Sequence, residues 1–260
     1  MKAIRCGRGL GDSLYLQSVV RHLLATTDDR FRVRSDWPAI FSQLGPRVDV
    51  TPFSRAVDIV AHYSARKGLA GTTQFDDCCA GAGLAGQAVD LRLDWEPQDL
   101  SLVHDLRRPG RRIVVVQLPR TPMGRTDGFG KELLPDCRVI QRAIDALRDR
   151  ALIVQVGSGV PLFKLKGIDV DLANRTSVSQ LIDAAAVADG FLGYCSFLVP
   201  LAESFAKPAL LVWSSRGLRA GHPYVRQITP AKVLHRPSSV HVVDDWDPAR
   251  TDEVINAFLR

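Results

Sequence analysis

The chain has 260 residues, 46% of them hydrophobic and 24% charged, which excludes a fibre or a disordered polymer and allows one large domain or two small ones. No window approaches the roughly 18 uninterrupted apolar residues of a membrane span, and the start lacks the basic, apolar, small-residue order of a secretion signal, so a cytoplasmic protein is expected. The net charge of +6 is uneven: six arginines and no acid lie between Asp105 and Asp127, and six cations and no acid between Glu203 and Asp244.

In chain order, KAIRC reads as a buried strand, the glycine run GRGLGD as a tight turn, and Ser13 to Ala25 as an amphipathic helix. FRVRSD is a second strand and DWPAIFSQL a short helix; RVDVTPF and AVDIVAHYS are further strands, and QFDDCCAGAGL is a helix ending near Gly81 or Gly83. At RRPGRR the series breaks, with Pro109 and Gly110 flanked by like charges, and this tract is taken as a linker. The series restarts with RIVVVQL, a β-branched run suited to a parallel strand buried on both faces. There follow a helix in LLPDCRVIQRAIDALRDR, a strand and turn in ALIVQVGSG, and a helix in TSVSQLIDAAAVADG, capped by Thr176 or Ser177 and closed by Gly190. The strand FLGY, a turn at Cys195 and Ser196, the helix LVPLAESFA with Pro200 in its first turn, the strand PALLVW and a last amphipathic helix complete the chain.

This βα alternation on both sides of a linker predicts an α/β fold of two doubly wound, Rossmann-like sheets facing across a cleft, with residues 1–108 and 109–260 as the two domains. Ligands of such sheets gather at the carboxyl ends of the strands, so the interdomain cleft is the expected site. Five cysteines (Cys6, Cys78, Cys79, Cys137, Cys195) with no CxxC pair suggest reduced thiols, and six scattered histidines show no metal-ligand spacing, so no metal site is expected. The basic tracts suit a phosphorylated or polyanionic partner, because guanidinium groups grip phosphate oxygens bidentately; a solvated basic face is the plain alternative.

Two tracts, GLGDSLYLQSVVRHL and NRTSVSQLIDAAAVADGFLGYCSFLVPLAESFAKPALLVWSSRG, resemble in order the opening and the C-terminal core of glycosyltransferase family 9, the heptosyltransferase group with a GT-B fold. That resemblance implies inverting, metal-independent transfer of a sugar from a nucleotide-diphosphate sugar, held by the second domain, to an acceptor held by the first. No cofactor is implied, and the last helix, residues 248–260, is expected to return to the N-terminal domain. Asp12, which as a residue alone reads as a helix cap, matches the family's catalytic aspartate and would take the acceptor's proton; Arg8, Gly9, Gly11 and Ser13 form the acceptor-side loop around it.

On the donor side, Gly193, Tyr194, Cys195, Ser196, Phe197 and Leu198 match the phosphate-binding turn by position. They depart from it in composition, because Cys195, Ser196 and Phe197 stand where the family has an acidic residue and then serine or threonine with glycine, and Pro200 where it has histidine. Arg120, Arg125 and Lys131 are the cations for the leaving diphosphate, and the turn Gly157, Ser158, Gly159 borders the nucleoside. Tyr194, Phe197 or Trp213 could stack on a base or simply pack. A lipopolysaccharide-like glycan is the expected acceptor. A DNA base, as in viral DNA glycosyltransferases, and a non-catalytic sugar-nucleotide binding protein are the alternatives.

Overall fold

The computed structural model describes residues 1–63, 73–107, 110–121, 134–215 and 239–259. Two parallel sheets organise it. The first holds β1 (Lys2–Arg5), β2 (Phe31–Arg34), β3 (Val48–Thr51) and β4 (Ile59–Val60) in the order β3-β2-β1-β4. Its helices are α1 (Leu10–Thr26) and α2 (Gln74–Gly81), with a 3-10 turn at Pro38–Phe41 in place of the short helix expected there.

The second sheet is built from β5 (Arg112–Gln117), β7 (Ala151–Val156), β9 (Val170–Asp171), β10 (Gly190–Tyr194), β11 (Ala209–Trp213) and β12 (Val240–Val243), in the order β12-β11-β10-β5-β7-β9. Its helices are α4 (Cys137–Leu147), α5 (Val178–Val187), α6 (Leu198–Ser204) and α7 (Thr251–Phe258). A small antiparallel pair, β6 (Arg120–Thr121) with β8 (Val160–Pro161), stands apart from both sheets. Along β5 the side chains alternate between two buried clusters: Ile113 and Val115 join α5 and α6 on one face, Val114 and Val116 join α4 and α7 on the other. This double burial is what its unbroken β-branched run requires.

The first cluster is continuous from one sheet to the other, with Leu14 and Val19 of α1 sharing it with Val199 and Ala202 of α6. Helix α3 (Leu100–Arg107) precedes the linker tract yet packs on α5 of the second half, so packing changes partner before residue 108 rather than at it. The extended stretch leading into it crosses from half to half. Arg92 exchanges hydrogen bonds with Ser18 of α1, and Leu93 donates to the carbonyl of Ser204 in α6.

Three local expectations are corrected. Helix α1 begins at Leu10 rather than Ser13, because Gly9 is its extended N-cap and Asp12, at the third helical position, reaches back to accept the Gly9 N–H at 2.9 Å. Helix α5 ends at Val187, and Gly190 opens β10 instead of closing the helix; Ser177 does cap it, accepting from Gln180 N while Gln180 accepts from Ser177 N. The last helix does not return to the first half: Val254, Ile255 and Phe258 of α7 fill the cluster formed by α4 and the second sheet. Three apolar side chains at that seam bury about 2 kcal/mol each, which leaves no free apolar face to dock elsewhere. No helix among the described residues is long and apolar enough to cross a membrane.

Candidate active site

Each sheet has one point where the chain order reverses, and each places chemistry there. In the first sheet the reversal lies between β1 and β4, with Cys6 one residue past β1 and His62 two past β4. In the second it lies between β5 and β10, where the Ser196 hydroxyl donates to Gln117 Oε1 at 2.5 Å and accepts from Leu198 N at 3.2 Å.

Asp12 stands over the first of these points. Its Oδ2 lies 2.1 Å from where a Cβ on Gly7 would sit, so only glycine at position 7 lets the carboxylate turn inward. One carboxylate oxygen, the Cys6 sulfur and one His62 ring nitrogen lie within 4.8 Å of one another. Cys6 Sγ is 3.6 Å from His62 Nδ1 and 3.7 Å from Cys78 Sγ of α2. Burial pushes the Cys6 thiol up, but its contacts with Cys78 and His62 outweigh burial and leave it below its ordinary value. The same contact with Cys6 raises His62 against its partial burial, while burial and the Cys6 neighbour hold Cys78 well above the usual thiol range.

The rest of the acceptor-side loop is scaffolding. Arg8 is committed to Asp36 through Nε at 2.8 Å and a second nitrogen at 2.7 Å, and lies over the Phe53 ring. Its carbonyl takes the Trp37 indole N–H at 2.8 Å. Ser13 is 1% exposed and bonded to the Ser35 hydroxyl at 2.9 Å. Gly11 has a different use: a Cβ there would lie 3.1 Å from Pro200 Cγ and 3.4 Å from Phe197 Cα, so its absence lets the first turn of α1 approach that of α6.

Beside this approach lies a cavity of about 340 Å³ that draws its walls from both halves. Leu10 and Trp37 come from the first; Gly157, Ser158, Asn174, Thr176, Ser177, Val178, Leu181 and Phe197 come from the second. The backbone segments that form it follow the carboxyl ends of β2, β7 and β9 or open α1, α5 and α6. Asn174, itself at φ +59°, braces the 157–159 turn by accepting from Gly159 N at 2.8 Å and donating to its carbonyl at 3.1 Å. A larger hollow, about 910 Å³, is lined by Asp90, Arg92, Asp94, Glu96 and residues 204–206. It lies where α5 and α6 end, at the amino ends of the strands, opposite the ligand side of such sheets.

Among the other predicted residues, Arg125 and Lys131 lie outside the described residues, and of Arg120 only the backbone, in β6, is described. Cys195 is half-buried, and burial pushes its thiol up to about 12, which makes it a packing thiol rather than a nucleophile. From the ordinary 9.0 this leaves about a thousandfold less thiolate at pH 8, so iodoacetamide should label Cys195 roughly that much more slowly than a free thiol, read by peptide mass mapping. Trp213 is 6% exposed and packs in the first cluster; Phe197 lines the cavity, and Tyr194 ends β10 half-buried. Two arginines of the basic linker are spent internally, Arg111 on the carbonyls of Arg148 and Ala151 and Arg112 on that of Leu259.

The sequence points to Asp12, to Arg8, Gly9, Gly11 and Ser13 around it, and to Gly157, Ser158 and Phe197 of the cavity, but not to Trp37, Asn174 or the grouping of Cys6 with His62. The signal for Asn174 was faint, a single residue with a tolerance for left-handed backbone; for the Cys6 and His62 pair there was none, because 56 positions separate them.

No family model matches the chain, and no curated protein matches it. Solved structures do. ADP-heptose lipopolysaccharide heptosyltransferase II of E. coli aligns over 100% of this chain and 98% of its own, at 13% identity and a TM-score of 0.63. A glycosyltransferase of family 9 from Veillonella parvula aligns over 93% and 86%, at 8% identity and 0.63. E. coli heptosyltransferase WaaC with ADP aligns over 98% and 99%, at 12% identity and 0.60. The chain therefore has the α/β fold of GT-B glycosyltransferases, as expected from its sequence.

Proposed function

We propose that the chain is an inverting glycosyltransferase that moves a sugar from a nucleotide-diphosphate sugar to a glycan of the lipopolysaccharide type. The observation that carries this reading is the 340 Å³ cavity, which joins Leu10 of α1, two positions before Asp12 in the chain, to the turns after β7 and β9 and the start of α6. The likeness to heptosyltransferases supports the reaction class, and the ADP bound in one of them, WaaC, supports the donor class.

In this reading the nucleoside lies against Ser158, Asn174 and Ser177 of the cavity, and the diphosphate reaches from there past Phe197 toward the turn 194–198, which the Ser196 to Gln117 bond braces. Arg120, Arg125 and Lys131 neutralise the charge that the leaving diphosphate gains. The acceptor oxygen attacks the anomeric carbon from the face opposite the diphosphate; that bond breaks as the new one forms, and the acceptor's proton passes to Asp12. Asp12 and the acceptor must sit on the far side of the sugar from the turn 194–198, which is the arrangement that inversion demands.

A thermal-shift screen of ADP, UDP, GDP and CMP sugars tests the donor half, since a ligand that binds only the folded chain raises its stability by about 2.7 kcal/mol at a hundred times its Kd. One nucleotide series is expected to raise the melting temperature and to be consumed when a glycan acceptor is added. Binding without turnover would leave a sugar-nucleotide binding protein, and no shift across the panel would remove the proposal.

A further inference from the structure

Cys6, Asp12 and His62 come from three separate elements, the end of β1, the first turn of α1 and the end of β4, and converge at the reversal point of the first sheet. Four tetrahedral ligands around an ion with bonds of about 2.0–2.3 Å stand roughly 3.5 Å apart. The Cys6 sulfur and the His62 Nδ1, at 3.6 Å, already have that separation, and an oxygen of Asp12 lies within 4.8 Å of both. The side chains are also held from behind. Cys6 is fully buried with the Cys78 thiol 3.7 Å away, the Asp12 carboxylate is fixed by the Gly9 N–H, and the absent Cβ of Gly7 makes room for it. Such outer contacts orient the donors of a metal site before the ion arrives.

We infer that these three side chains bind a divalent ion of the zinc class, through the Cys6 sulfur, His62 Nδ1 and one Asp12 oxygen. Sulfur, imidazole and carboxylate together favour zinc over magnesium or calcium, which take oxygen ligands alone. His62 is exposed and Asp12 half-buried, so the fourth position faces solvent and is filled by water. Binding breaks the S–H bond of Cys6, and its proton leaves to the buffer. Cys78 stays outside the ligand set and contacts the Cys6 sulfur. The inference goes beyond the transfer reading and shares one carboxylate with it: an ion on Asp12 lowers the basicity of that group, so the loaded chain should transfer more slowly than the apo chain.

Cobalt(II) titration of the purified, chelator-treated full chain tests the site without donor or acceptor. One equivalent is expected to bind, with a thiolate-to-cobalt charge-transfer band and the intense visible bands of a four-coordinate ion, and zinc should displace it. Cys6→Ser should abolish the charge-transfer band, His62→Ala should weaken binding at least tenfold, and Cys78→Ser should keep both band and stoichiometry. Because Cys6 is in the core, His62→Ala, at an exposed position, keeps the test valid if Cys6→Ser does not fold. Binding below one equivalent, a band unchanged by both Cys6→Ser and His62→Ala, or a band that needs Cys78 but not His62 would overturn the site. Sugar transfer by the chelated chain is scored separately, so a failed metal site leaves the transfer reading standing, and a failed transfer assay leaves the metal result intact.

Discussion

Asp12→Asn should cut transfer by about two to four orders of magnitude, the usual share of a general base, while the chain stays folded. The substitution keeps an oxygen that can accept the Gly9 N–H, now 2.9 Å from Oδ2, so the start of α1 is preserved and only the proton acceptor is lost. Gly7→Ala should produce a similar loss by another route, since its methyl would occupy the space of Oδ2 and turn the carboxylate away. Rates with the donor selected by thermal shift, set beside unfolding midpoints, decide the matter. Full activity in folded Asp12→Asn would exclude Asp12 as the base.

The paired behaviour of positions 7 and 12 also shows what a linear reading can and cannot reach. GRGLGD marked a tight turn with an acid at its end, and the turn is there. Its reason is not the φ freedom that glycine runs usually signal: at Gly7 a carboxylate lies where a Cβ would go, and at Gly11 a Cβ would press closely on Pro200 of the neighbouring helix. Those neighbours come from residues 12, 197 and 200, and only folding brings the last two near. RIVVVQL was legible because double burial leaves a local mark, an unbroken β-branched run, and a cap at Thr176 or Ser177 was legible because a cap and the turn it opens are neighbours in the chain; folding selects Ser177, paired with Gln180. Strand β12 was not. Four residues, VHVV, carry too little pattern to stand out beside RPSS, and their pairing with β11 is a contact across 30 positions.

The site divides in the same way. Its location followed from topology alone, since ligands collect where strand order reverses, and both reversal points carry reactive or polar side chains. Which side chains meet there depended on sheet order. Cys6 and His62 are adjacent because β4 pairs with β1 rather than with β3, its predecessor in the chain. Phe197 is a wall of the cavity because the turn after β10 carries it across to Leu10 and Trp37 of the first half.

The largest stability loss is expected at Asp183, which touches no part of the proposed site. It is fully buried in α5, and three donors from the extended stretch before α3 converge on its two oxygens: Trp95 Nε1 at 2.6 Å, Gln98 N at 2.9 Å and Asp99 N at 2.8 Å. That stretch is the strap that ties α1 to α5 and α6, so the carboxyl group anchors one half of the molecule to the other. Asp183→Ala removes both oxygens and leaves two backbone N–H groups and an indole N–H without partners, at a cost of about 3–5 kcal/mol. Set against a typical total of roughly 5–15 kcal/mol, this brings the chain close to unfolding at ordinary temperature. Asp183→Asn retains one acceptor oxygen, which can keep either the Oδ1 pair or the Oδ2 bond, and should cost about 1–3 kcal/mol. Urea unfolding of the two variants should therefore rank wild type above Asn above Ala, with unchanged slopes if the strap and both sheets unfold together. A wild-type midpoint in Asp183→Ala would mean that the strap does not hold the halves, and a shallower slope that they unfold separately.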